Sequence, residues 1–261
     1  MSDLNFSERM ANYERKAQKA LDYAEIQNVF ALHEYYHHKP EEEIEMIFAH
    51  KQPDVSFGQN QGMWIGLESV KKNYRGRSEE EQKKKLEALR KWHPDIPDDI
   101  KYADSGELGF HMLTTPLIEI AEDGQTAKGM WYTPGFMTMF NDKTGKWNAV
   151  WMYEKYAIDF IKEDGKWKIW HFNALCDFAT PYEKSWVESS EERRLNPQSE
   201  PFMLDKRDGP GLGTQDYTTR RVQPMDFPKP PEPYRTFSET FSYGPSRETL
   251  EKLNIKVFYY K

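Results

Sequence analysis

Along the first 38 residues, apolar side chains return every few positions, at Met10, Ala17, Leu21, Ala24, Val29 and Leu32. That spacing predicts one long helix over residues 5–38. "NFSE" supplies Asn5 as N-cap and Glu8 as its capping-box partner, and Pro40 stands just past the far end. A second helix is predicted over 40–49, with Pro40 in its first turn and three glutamates suited to the positive end of the helix dipole. "DVSFGQNQGMWIG" reads as a short strand and turn, and "GLESVKKNYRG" as a third helix over 67–74. Residues 78–92 form a heavily charged helix that "HPDIPDD" breaks.

From there the period changes to two. "GFHMLTTPLIEIAEDG" reads as one strand, and "QTAKGMWYTPGFMTMFNDKTGKW" as a longer strand broken at Pro134-Gly135. "NAVWMYEKYAIDFIKEDGKWKIWHFNALCDF" is a hairpin around "EDGK", whose Asp-Gly is a strong turn signal. Helices followed by a meander of long antiparallel strands predict an α+β domain over residues 1–185, with a helical insertion near 77–100. Beyond about Pro181 the composition shifts to "PQSEP", "GPGLG" and "PKPPEPY". This predicts an extended tail, residues 186–261, packing on the domain or on a neighbouring subunit.

Composition removes several function classes. The chain has 261 residues, 38% of them hydrophobic and 15% aromatic, enough for one sizeable core. A formal net charge of −7 without a basic stripe argues against nucleic acid as a partner. No apolar run approaches the roughly 20 residues that cross a bilayer. The charged start lacks the apolar segment of a signal peptide. The single cysteine, Cys176, cannot form an intrachain disulfide and reads as a small apolar filler in a strand. A cytoplasmic protein is expected.

"HEYYHHKPEEE", residues 33–43, contains a literal H-E-x-x-H, the pattern by which zinc peptidases hold a metal with two imidazoles one helical turn apart. Such a site needs a third ligand and an open position for water. Here Pro40 stops the helix, and Glu41, Glu42, Glu43 and Glu45 come too soon to fold back over His33 and His37. The motif reads as incidental, with no metal expected. The residual metal alternative uses His33 and His37, helped by His38 or His111.

The order of elements, "DVSFGQNQGMWIGLESVKKNY" and above all "DFIKEDGKWKIW" resemble the SnoaL-like branch of the nuclear transport factor 2-like superfamily, over roughly residues 10–180. That group includes scytalone dehydratase, bile-acid dehydratase and polyketide cyclases. The resemblance implies a cone-shaped curved antiparallel sheet packed on N-terminal helices and enclosing a pocket. It also implies a dimer or trimer and no cofactor. Its dehydratases carry a catalytic histidine in a setting like that of His111 in "FHMLTTPLIEI". They place a Tyr and an Asp near the end of the first helix, where this chain has Tyr36 and, in the Asp position, His37. The implied dyad is therefore His–His or His–Tyr.

Strand alternation puts Ile169, His171 and Asn173 on one face and Trp170 and Phe172 on the other. If the first set faces the pocket, His171 and Asn173 bind substrate oxygens. Trp64, Trp131, Trp151 and Tyr153 would offer a flat lining for a ring-shaped ligand. Asp54, Glu68 and Asp159 read as turn, cap and surface residues. The expected function is a cofactor-independent lyase or isomerase acting on a hydrophobic cyclic or aromatic small molecule, with His111 as base. The alternatives are a non-catalytic binding protein of the same fold, or a metal-dependent enzyme.

Overall fold

The predicted capping box starts the first helix. Asn5 Oδ1 accepts from the Glu8 amide at 3.0 Å, and Glu8 returns the bond to the Asn5 amide. The computed structural model describes residues 5–74, 79–100, 106–195, 207–213 and 215–260. In it α1 (Phe6–Tyr35) is followed by α2 (Pro40–Ile47), β1 (Ser56–Gln59), β2 (Gly62–Ile65), α3 (Leu67–Asn73) and α4 (Glu79–Trp92). Then come β3 (Leu108–His111), β4 (Thr114–Ile120), β5 (Thr126–Asn141), β6 (Lys146–Glu163) and β7 (Lys166–Pro181), with α5 (Trp186–Leu195) and α6 (Arg247–Lys252) in the C-terminal region.

One sheet of seven strands runs β2-β1-β7-β6-β5-β3, with β4 also on β5. The fold is α+β as expected, but the curved sheet is mixed: β1 lies parallel to β7. Two strand readings change. β5 runs unbroken through Pro134, whose carbonyl accepts the Met112 amide at 2.9 Å. The strand read through His111 is instead two, β3 and β4, with Thr115 at φ 47° and a register shift between Thr114 and Leu117.

On the inner face of the sheet, α1 presents Ile26, Phe30 and His33, which are buried. Phe30 packs 4.4 Å from Trp131 and 5.7 Å from Phe172, ring centre to ring centre, with Tyr156 and Phe160 edge-on. Burying each such ring contributes about 1.5–3 kcal/mol. The outer face is covered by the tail. Glu122 donates its amide to the Tyr234 carbonyl, and Lys155 Nζ reaches the Pro224 carbonyl at 3.2 Å. Arg207 lies 3.5 Å over the Trp64 ring. The described part of the tail thus packs on its own domain, and it holds two short α-helices and a 3-10 turn, Phe237–Glu239, where an extended chain was expected.

Candidate active site

Three imidazoles and three carboxylates converge between the end of α1 and the sheet. His33 is buried on the last turn of α1, and its Nδ1 lies 2.6 Å from Glu43 Oε1 on α2. The Tyr74 hydroxyl donates to the same Glu43 oxygen at 2.6 Å. Burial pushes the Glu43 carboxyl up to about 8, against the opposing Tyr74 hydrogen bond and with the Glu34 charge adding to the rise. Burial likewise pushes the Tyr74 phenol well above its ordinary value. His33 Nε2 faces Glu34 Oε1 at 3.6 Å.

His111 ends β3, and its backbone amide donates to Glu34 Oε2 at 3.2 Å, tying the strand to α1. Its imidazole is 5% exposed, with Nε2 3.4 Å from Glu154 Oε2 on β6. The ring lies against Gly135 of β5, where an added Cβ would stand 2.7 Å from His111 Cδ2. The Pro134-Gly135 pair that looked like a strand break is therefore where the sheet makes room for the imidazole. His37 bridges the group, its ring 4.9 Å from that of His33 and 5.8 Å from that of His111. Tyr156, 5.8 Å from His111 and 5.7 Å from His33, forms the floor with Phe172. Inside such a low-dielectric setting, hydrogen bonds and charges act more strongly than in water.

Other expected site residues sit elsewhere. α1 stops at Tyr35, so His37 lies on the turn that follows and not on the helix that carries His33 and Glu34, yet the three side chains of the H-E-x-x-H still converge. Tyr36 is the half-buried C-cap of α1, and among the described residues its ring is not one of those packed on the three imidazoles. Trp131 is on the inner face but deeper, against Phe30 and Phe160. Trp64 stacks on Phe57 beneath Arg207. Tyr153 lies on the outer face, stacked 5.7 Å from Phe178, because Glu154 and Tyr156 take the inward positions of β6. Trp151 is 44% exposed and stacks on Tyr182.

His171 and Asn173 require a correction. The β6–β7 register slips between Asp159 and Phe160, so that Asp159 faces His171 while Phe160 faces Ile169. This bulge at Trp170 inserts one extra residue and turns Trp170 and His171 to the same, outer side, while Phe172 points inward. Plain alternation fails there. Asn173 Nδ2 donates to the Tyr243 carbonyl of the tail at 2.8 Å.

His171 is clamped by two carboxylates, Asp159 on Nδ1 at 2.8 Å and Asp54 on Nε2 at 3.1 Å. Lys128 Nζ meets Asp159 at 2.6 Å, and its ammonium sits 4.3 Å from the Phe237 ring centre and 4.7 Å from that of Phe241. Trp170 Nε1 and the Tyr259 hydroxyl donate to Asp54, and the Tyr243 amide donates to Asp159. Asp54 and Asp159, read from sequence as turn or surface residues, are fully buried. Burial opposes their charge, but the hydrogen bonds and charges of His171, with Lys128 beside Asp159, hold both carboxyls below the usual range. Burial also opposes the imidazolium, yet its two aspartates raise His171 above 6.5. Ser242 Oγ is 3.3 Å from His171 Nδ1, which mimics a nucleophile–base–acid line. An imidazole hydrogen-bonded to carboxylates at both nitrogens is held as a cation and cannot accept that serine's proton. This cluster fastens the tail.

Sequence reasoning missed Tyr74 and Glu154 as site residues, took Glu34 only as part of an incidental H-E-x-x-H, and dismissed Glu43 as too close along the chain to fold back over His33, which it does at 2.6 Å. Two signals were present. Glu43 shares a helix face with Ile47, and both are buried. Glu154 is the one charged residue among the inward set Met152, Glu154, Tyr156, Ile158 and Phe160.

A groove of about 660 Å³ lies along α1 against the β6–β7 turn, lined by Val29, Leu32, Tyr35, Met46 and Trp167, and does not include His111. No helix among the described residues is long and apolar enough to cross a membrane.

No curated protein matches the chain. Similar solved structures include a putative scytalone dehydratase from Novosphingobium aromaticivorans, 14% identical, with a TM-score of 0.45 over 65% of this chain and 93% of that one. Another is a hexachlorocyclohexane dehydrochlorinase, LinA, from Novosphingobium barchaimii, 14% identical, TM-score 0.42, covering 65% of this chain and 96% of that one. A nuclear transport factor 2-like superfamily protein from Salmonella enterica serovar Typhimurium is 14% identical, TM-score 0.41, covering 64% and 99%. The model of the SnoaL-like domain matches residues 18–173, more than half of the 261 residues, and spans α1 through most of β7. The chain therefore belongs to the SnoaL-like family.

Proposed function

We propose that the chain is a lyase or isomerase that needs no cofactor and acts on a hydrophobic cyclic or aromatic small molecule. The observation that carries this reading is the buried His111 imidazole set against Glu154, 3.4 Å away, in a ring-walled cluster with two further imidazoles. Glu154 orients His111 and stabilises the imidazolium that forms when it removes a proton next to a carbonyl or other activating group. His37, next to His111, protonates the leaving group if the reaction is an elimination. Tyr156 takes the oxyanion-stabilising place first expected of Tyr36 and Asn173, neither of which lies with His111. Trp131 and Phe172 contribute apolar wall. The rival reading, a non-catalytic binding protein, returns its ligand unchanged.

The test is ¹H NMR of α-proton exchange in cyclic ketone probes such as 2-tetralone, dissolved in D₂O with the protein. Exchange should be accelerated by the protein and lost by roughly 10²–10⁴-fold in His111→Ala. Full exchange by that variant ends the assignment.

One observation favours a second reading. His33, Glu34 and His37 can each offer a ligand atom, and these atoms lie within 4.8 Å of one another. Two imidazoles and a carboxylate suit a divalent transition metal, which would take His33 through Nε2 because Glu43 holds Nδ1. Elemental analysis of protein purified without a His tag decides: near-stoichiometric metal, lost in His37→Ala, establishes this reading, and metal-free protein dismisses it.

A further inference from the structure

The first half of α1 is almost wholly exposed and meets the domain through the Lys19–Glu119 ion pair at 3.6 Å. From residue 5 to residue 21 only Asn12 is even half-buried, and Phe6, Met10 and Tyr13 are 78%, 42% and 57% exposed. Phe6, Met10, Tyr13, Ala17, Ala20 and Ala24 succeed one another at steps of 4, 3, 4, 3 and 4 residues. This is the a/d repeat of a two-stranded coiled coil, with Phe6, Tyr13 and Ala20 at d and Met10, Ala17 and Ala24 at a. At about 100° per residue, the stripe lies nearly opposite the face that buries Asp22, Ile26, Phe30 and His33. The domain's own core therefore cannot reach it. A lone arm of this length is marginal as a helix in water unless its apolar stripe is packed.

We propose that the stripe is the seam of a parallel coiled coil between the α1 arms of two copies of this chain. Charge selects both the occupant and the orientation. In this frame Arg9 and Lys16 hold g positions and Glu14 an e position. A parallel pair sets each g opposite the partner's e five residues on, which places Arg9 against the partner's Glu14, twice by symmetry. An antiparallel pair would set Arg9 and Lys16 against the same basic positions and Glu14 against itself. The Lys16 stem covers the partner's Leu21, itself 59% exposed here. Small alanines at Ala17, Ala20 and Ala24 let the two helices approach closely just before the domains begin. Because each domain hangs from the opposite side of its helix, the two flank the seam without meeting across it. This inference stands apart from the proposed chemistry, since no arm residue touches the imidazole cluster.

Sedimentation velocity of the full chain over a concentration series tests it. A concentration-dependent dimer is expected, weakened by roughly tenfold or more in Met10→Asp. Arg9→Glu and Glu14→Arg should each weaken it, and the double variant should restore it. On mild oxidation Ala17→Cys should give a disulfide-linked dimer that the parent, whose one cysteine is Cys176 in β7, does not form. Unchanged circular-dichroism melts of Met10→Asp at low protein concentration serve as the folding control. A monomer at all concentrations overturns the proposal, as does a dimer indifferent to Met10→Asp. Failure of the double reversal to restore dimer overturns the parallel seam. Dimer loss coinciding with binding to phosphatidylserine vesicles assigns the stripe to a membrane surface and overturns the proposal too.

Discussion

The two faces of one sheet carry two histidine clusters built on opposite principles. On the outer face, the two nitrogens of His171 meet two aspartates at 2.8 and 3.1 Å, Lys128 balances the second negative charge, and the tail adds donors from Tyr259, Ser242 and Tyr243. On the inner face, His111 and His33 face glutamates at 3.4 and 3.6 Å, and the close contact is reserved for His33 with Glu43, whose carboxyl burial pushes up to about 8. In each case a glycine makes space for the ring, Gly135 under His111 and Gly244 over His171. The lesson is that burial alone does not mark a functional histidine. A cluster whose charges are matched one for one fastens chain to chain, whereas one with looser pairs and a shifted carboxyl can exchange protons.

The contrast can be broken most severely at Asp159. Asp159→Ala leaves Lys128 and His171 as buried cations facing only Asp54, and should cost about 3–5 kcal/mol in urea unfolding. Crowding the rings comes next: Gly244→Ala forces a methyl to within 2.6 Å of the His171 ring atoms and should cost about 1–3 kcal/mol, loosening the tail to limited proteolysis. Removing one donor, as in Tyr259→Phe, should cost about 1–2 kcal/mol and leave chemistry at the inner cluster intact.

Acidity sharpens the same contrast. His171 is raised above 6.5, so the stability it adds is fully present below that pH and is lost as pH rises through its folded value. Asp54 and Asp159 are held below 3.8, so their contribution is present above that pH and is lost as pH falls through their folded values. Burial lowers Lys128 from 10.5, against the charge and hydrogen bond of Asp159 that raise it. The outer cluster's contribution to the urea midpoint should therefore decline on both sides of the interval between 3.8 and 6.5, while Glu43, raised from 4.5 to about 8, adds a separate loss as pH rises through that range. Asp159→Asn should flatten both slopes.

Much of the fold was legible because it rests on local rules. The capping box at Asn5 and Glu8, Pro40 at the start of α2 and the Asp-Gly turn between β6 and β7 each stand where expected. His111 could be singled out as a candidate and is buried beside His37. What escaped depends on distant partners. The bulge at Trp170 re-phases β7, and a one-residue slip sends His171 and Asn173 to the other face. Asp159 looks like a surface residue until Lys128 and His171, 31 and 12 residues away, arrive to match it, and Asp54 looks like a turn residue until His171, 117 residues away, does the same. Glu43 and Tyr74 pair only once α2 and α3 are packed.

The most direct test sets the two faces against each other in one assay, α-proton exchange of 2-tetralone in D₂O followed by ¹H NMR, with folded fractions matched by circular dichroism. Wild type and Tyr259→Phe should exchange the probe at equal rates, and His111→Gln should fall by roughly 10²-fold or more. Exchange that survives in His111→Gln but disappears in Tyr259→Phe would place the chemistry on the outer face and contradict the division of roles between the two clusters.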